Sequence, residues 1–205
     1  MKPATIISIV SIVIALATFY LTQLRGPNLI PSIGPTIKAY HAGEDELVLL
    51  VPVTIMNKSS AEGSVERAAV TLYREDTSNQ RFFIAWHRFA TYRYEVARWV
   101  LGDIAHALPI HGDSSLVRLV TFLWDKREKL YLKAGNYVLI FHYWESGEER
   151  PKNSEHRFLL TTEMAEKLEE YRVAKDNMHI NITLDKQMDS NKEMTEHEFK
   201  KLLGG

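Results

Sequence analysis

The stretch Leu47-Val48-Leu49-Leu50-Val51-Pro52-Val53-Thr54-Ile55-Met56-Asn57 decides the fold. Leu47, Leu49, Val51, Val53 and Ile55 occupy every second position and form one unbroken apolar face, while Pro52 and Thr54 fall on the other. A period of two is the period of a strand. Proline cannot donate to a ladder, so Pro52 predicts an edge or a bulge there. The polar run Asn57-Lys58-Ser59-Ser60-Ala61-Glu62-Gly63 reads as a turn. It returns the chain into residues 65–73, where Ala68, Val70 and Leu72 share a face, and the two runs are expected to pair as a hairpin. The same period marks residues 81–89, 116–124, 136–144, 156–160 and 178–184. One amphipathic helix is expected at 163–175, with Thr162 as N-cap and Met164, Leu168 and Tyr171 on one stripe. The spacing of Val96, Val100 and Ile104 suggests a second helix over 92–104. Strands joined by turns, without alternating helices, predict a mainly β chain: an antiparallel β-sandwich with one short helix inserted.

The chain has 205 residues, with 25 basic and 26 acidic side chains and a net charge of −1. A protein that holds nucleic acid through its phosphates needs a basic excess, so no nucleic acid partner is expected. There is no cysteine, which excludes disulfides, thiol catalysis, iron–sulfur centres and thiolate zinc sites together. Residues 4–21 carry no charge and lie between Lys2 and Arg25. Eighteen helical residues measure about 27 Å, close to the bilayer's hydrocarbon core, so residues 1–25 read as a transmembrane anchor. Two other readings stay open: a signal peptide cleaved after Ala15-Leu16-Ala17, giving a secreted protein, and a buried core helix. Residues 26–35 hold Pro27, Pro31 and Pro35 and read as a stalk. A β-sandwich domain is expected over 36–187 and a mobile polar tail over 188–205, with a helical turn near 196–202. The expected location is a membrane, single-pass, with the domain outside the cytoplasm.

The piece Lys133-Ala134-Gly135-Asn136-Tyr137, leading into an apolar strand, resembles the tyrosine corner of immunoglobulin-like domains. Leu139 stands where that pattern places the second cysteine of the inter-sheet disulfide, so a domain of this kind would be held by its core alone. The whole layout resembles uncharacterised single-pass bacterial envelope proteins with an immunoglobulin-like β-sandwich. The resemblance implies that fold and a place in the envelope, and no activity.

Residue types that can carry chemistry gather in one segment. Asp103, His106, His111 and Asp113 are metal-ligand types within eleven positions, and His111, Asp113, Ser114 and Ser115 are triad types. The bland reading is a polar turn before a strand, and triad members usually converge from separate segments. A metal- or hydroxyl-dependent envelope enzyme using residues 103–115 is therefore the alternative function. No hydrolase, P-loop, Rossmann or kinase signature is present, and no cofactor is expected.

The most unusual composition lies in residues 81–99. Seven of these nineteen are aromatic, and four arginines face one glutamate. Arginine and large aromatics are the types enriched at interface hot spots, although a buried strand would show the same alternation. The expected function is thus a membrane-anchored binding or accessory module that acts by protein interaction, without catalysis. Its contact residues would be Arg81, Trp86, Tyr92, Arg93 and Trp99, and its partner an envelope protein.

Overall fold

The computed structural model describes residues 3–20, 26–43, 45–77, 80–93 and 98–184, with only the backbone of Ala4, Tyr92, Arg93, Arg98 and Trp99. Its elements are α1 (Pro3–Phe19), β1 (Leu29–Ile33), β2 (Thr36–Ala42), β3 (Glu46–Asn57), β4 (Gly63–Arg74), β5 (Phe82–Arg93), β6 (Arg98–Ile104), β7 (Leu108–Ile110), β8 (Ser115–Trp124), β9 (Gly135–Glu145), β10 (Lys152–Leu160), α2 (Thr162–Val173) and β11 (Ile180–Thr183). The strands form one antiparallel sheet in the order β10-β9-β4-β5-β8-β3-β2-β11. In addition, β1 pairs with β3, β6 with β5 and β7 with β4. The outermost strands β10 and β11 come into contact, so the sheet rolls into a near-barrel.

This corrects the expected immunoglobulin-like sandwich. A sandwich divides its strands between two sheets, whereas here β5 belongs to both halves. Its first part, Phe82 to Ala85, pairs with β4, and its second, Trp86 to Ala90, pairs with β8. A bulge between Trp86 and Arg88 makes the crossing possible, because one extra residue bends a strand and increases its twist. The buried Thr121 hydroxyl fills the bulge, accepting from the Arg88 N–H and donating to the Arg88 carbonyl, both at 3.0 Å. The extra residue also shifts the alternation: Ile84 faces the core before it and Phe89 after it.

The expected hairpin of β3 with β4 does not form. Strand β3 pairs with β1, β2 and β8, and β4 with β5, β7 and β9. The proposed helix over 92–104 is instead a β-hairpin, in which Tyr92 lies opposite Trp99 and Arg93 opposite Arg98. Trp99 and Val100 are types that suit a pleated surface better than a helix. The supposed stalk also contributes to the fold, since Leu29 and Ile33 of β1 are buried in the core.

Pro52 is neither at an edge nor in a bulge, because β3 is flanked on both sides. Pairing with β2 ends at Leu50, and pairing with β1 begins at Val53. Pro52 falls at the junction, where its carbonyl accepts from the Gly34 N–H at 2.7 Å. In an antiparallel ladder the N and O of one residue face the same neighbour. The missing donor therefore points at the break between β1 and β2, where no ladder bond is lost. A Cβ on Gly34 would lie 3.1 Å from the Pro52 Cβ, so glycine permits the approach.

The first helix corrects the expected membrane location. It has 17 residues, about 25 Å at helical rise, and no helix among the described residues is long and apolar enough to cross a membrane. The single-pass anchor is not supported, nor is the placement of the domain outside the cytoplasm that rested on it. The polar tail expected over 188–205 lies outside the described residues.

Candidate functional site

The outward face of β4, β5 and β9 gathers exposed and half-buried aromatic and cationic side chains. Inward positions of these strands, Val70 and Leu72, Ile84, Leu139 and Phe141, fill the core, so the intervening residues must point outward. Register brings them together: Thr71 lies opposite both Phe83 and Ile140, Ala69 opposite both Ala85 and His142, and Arg67 opposite Trp144.

The contacts form a chain. The Arg67 guanidinium carbon lies 5.0 Å from the centroid of the Trp144 ring. Trp144 and His142 rings are 6.4 Å apart, and His142 and Phe83 are 6.0 Å apart. The His142 Nε2 and the Thr71 hydroxyl share a 2.8 Å hydrogen bond, which fixes the imidazole between its aromatic neighbours. Partial burial lowers the proton affinity of His142 from that of a free imidazole. Phe83 remains 55% exposed. At the border Arg81 lies over the Tyr73 ring at 4.9 Å. Arg67 is exposed and has no carboxylate partner among the described residues.

The sequence-predicted contact residues divide. Arg81 borders this face. Trp86 is half-buried, packs on the core and meets Phe89 edge-on at 5.9 Å. Side chains of Tyr92, Arg93 and Trp99 lie outside the described residues. Arg67, His142 and Trp144 were missed, because they stand on strands far apart in sequence. Their outward phase was readable from the alternation, but their adjacency exists only through register.

The residues of the 103–115 segment do not converge. His106 Nδ1 is 2.9 Å from the carbonyl of Ala107, and its ring meets Phe89 edge-on at 5.2 Å. His111 Nδ1 is 3.0 Å from a Glu62 carboxylate oxygen, on the surface. Asp113 has φ of 49°, with its N–H bonded to the Ser59 carbonyl. The Ser114 hydroxyl donates to the His111 carbonyl, so no imidazole activates it. Gly112 packs so closely that a Cβ would lie 2.0 Å from the Ser60 carbonyl oxygen. These are the contacts of a tight turn. Among the described residues no group of three His, Asp or Glu side chains could hold a metal ion.

A second cluster lies where α2 meets the β2–β3 turn. Arg172 bonds Asp45 and Glu169 together and places its guanidinium 4.7 Å from the centroid of the Tyr131 ring. These bonds hold both carboxyls below the usual range. His41, 4% exposed, lies 6.0 Å from Tyr131, and its Nδ1 has no hydrogen-bond partner among the described residues. Burial first, then the Arg172 charge, lowers its proton affinity, against the smaller pull of Asp45 and Glu169.

No family model and no curated protein matches the chain. Among solved structures it is similar to a Bordetella pertussis protein provisionally named ApaA, with TM-score 0.36 and 12% identity over 67% of this chain and 96% of that one. It is also similar to ycdA of Bacillus subtilis subsp. subtilis str. 168, provisionally described as a lipoprotein. The TM-score is 0.36 and the identity 18%, over 67% of this chain and 38% of that one. Both neighbours are bacterial proteins.

Proposed function

We propose that this chain is a binding module acting through protein interaction, and that its contact surface is the outward face of β4, β5 and β9. The observation that carries the reading is Arg67, a cation laid on the Trp144 ring without a carboxylate of its own among the described residues, close to an exposed phenyl ring. Arginine and tryptophan give the largest truncation losses at interfaces, and a guanidinium on an aromatic face is already partly ordered before contact. The complementary partner is a protein surface that sets carboxylates beside apolar side chains.

The test places a photoreactive residue at position 83, with a second copy of the experiment at the exposed Val173. Crosslinking to one defined protein from position 83, reduced about tenfold or more by Arg67→Glu in a chain that still folds, is expected. Equal capture from both positions, or capture indifferent to Arg67→Glu, would overturn the proposal.

A further inference from the structure

We infer that a cavity at one end of the near-barrel binds a small organic anion, one that joins an apolar ring to an oxyanion group, carboxylate or phosphate. Strands β4 and β8 end there, and β5 and β9 begin there, so their last inward residues face an opening. Leu72, Phe82 and Tyr137 form an apolar wall, which Leu130 of the segment after β8 completes. The cavity encloses about 320 Å³. That volume suits a small molecule, and barrel mouths are among the places where such sites form.

The rim of the cavity is cationic. Arg74, Lys129 and Lys133 line it, and among the described residues no carboxylate does. Arg74 is the fixed member: it lies opposite Tyr137 in the register of β4 with β9, and its Nε donates to Asp76. A Cβ on Gly135 would lie 2.9 Å from the Arg74 Cδ, so a glycine with φ of 150° lets the arginine stem cross close to the chain. The Arg74 side chain is only 24% exposed, yet its two terminal nitrogens make no hydrogen bond among the described residues. A guanidinium oriented through Nε alone presents those nitrogens as a fork, the geometry that receives one edge of a carboxylate or phosphate. The Lys133 ammonium also has no acidic partner among the described residues, since the bonds of Lys133 with the Tyr137 hydroxyl are made by its backbone. The neighbouring carboxylates are engaged: Asp76 accepts from Arg74, and Glu128 accepts from Gln80 at 3.4 Å. Unfilled donors above an apolar wall select a ligand with both features. A bare inorganic anion would leave the wall wetted, and a neutral ring would leave the donors to water.

The test follows amide resonances of the full chain during titration with benzoate, phenyl phosphate, inorganic phosphate and phenol. Saturable shifts at Thr77, Leu130 and Lys133 are expected with at least one of the two ring-bearing anions, at a dissociation constant of about 0.1–1 mM. Inorganic phosphate and phenol should each bind at least about tenfold more weakly. Whichever of benzoate and phenyl phosphate binds more tightly identifies the oxyanion. Lys133→Glu changes a side chain that ties nothing in the fold together, and it should weaken binding about tenfold or more, as should Arg74→Gln. Four outcomes would overturn the inference: no saturable shift with either ring-bearing anion, equal affinity for inorganic phosphate or phenol, affinity unchanged in Lys133→Glu, or shifts centred on Phe83 and Trp144. The crosslinking result at position 83 does not bear on any of them.

Discussion

Among the arginines that lie on aromatic rings, Arg172 and Arg67 do different work. Arg172 sits over Tyr131 and is tied to Asp45 and Glu169, so its charge is consumed inside the fold. Arg67 sits over Trp144 with no carboxylate partner among the described residues, so its charge is offered outward. The difference separates a group that holds α2 to the β2–β3 turn from one that can meet a partner. Composition does not reveal it, since both are arginines beside aromatics. Only the count of partners does.

The largest expected effect breaks the first of the pair. Arg172→Ala leaves Asp45 and Glu169 as neighbouring carboxylates without their shared cation, and the variant should lose about 1–3 kcal/mol of stability in urea unfolding. Arg67→Ala should change the same measurement by less than about 0.5 kcal/mol. Equal losses would erase the distinction.

Tyr137→Phe comes next. Tyr137 is 5% exposed and stacks on Phe158 at 5.2 Å; its hydroxyl donates to the Lys133 carbonyl at 2.9 Å and accepts from the Lys133 N–H at 3.0 Å. Removing the hydroxyl should cost about 0.5–1.5 kcal/mol, read as a lower urea midpoint. An unchanged midpoint would mean that this corner contributes no stability.

The smallest effect is one of pH. His41, His142 and His179 all bind protons less well in the fold than in the free chain, with burial the leading cause of each. The unfolded chain therefore takes up more protons as pH falls through about 6.5, and stability present above that value is lost below it. His41→Leu should make the unfolding midpoint less sensitive between about pH 7 and 5. A wild-type midpoint that rises on acidification, or a variant with the wild-type slope, would contradict this assignment.

What the sequence disclosed follows the range of the interaction involved. The strand at 47–57 was readable because its alternation is local, and the helix cap was misplaced by one residue, since Thr161 rather than Thr162 accepts from the Met164 N–H. The tyrosine corner was readable from five consecutive residues, yet it did not bring the immunoglobulin-like sandwich with it. The partners of β3, the shift in β5 and the closure of β10 on β11 were not readable, because each depends on a residue distant in sequence. Thr121 plugging the bulge at Arg88 is the clearest case. The contact face was half visible for the same reason: Arg81 and Phe83 stood in a conspicuous segment, while Arg67, His142 and Trp144 joined them only through register.

Oxidative footprinting of the full chain, alone and with the protein captured from position 83, tests the central distinction most directly. Labelling of Phe83 and Trp144 should fall several-fold on complex formation, while labelling of Tyr131 stays unchanged. Protection confined to Tyr131 and the α2 side, with Phe83 and Trp144 labelled as before, would contradict the account.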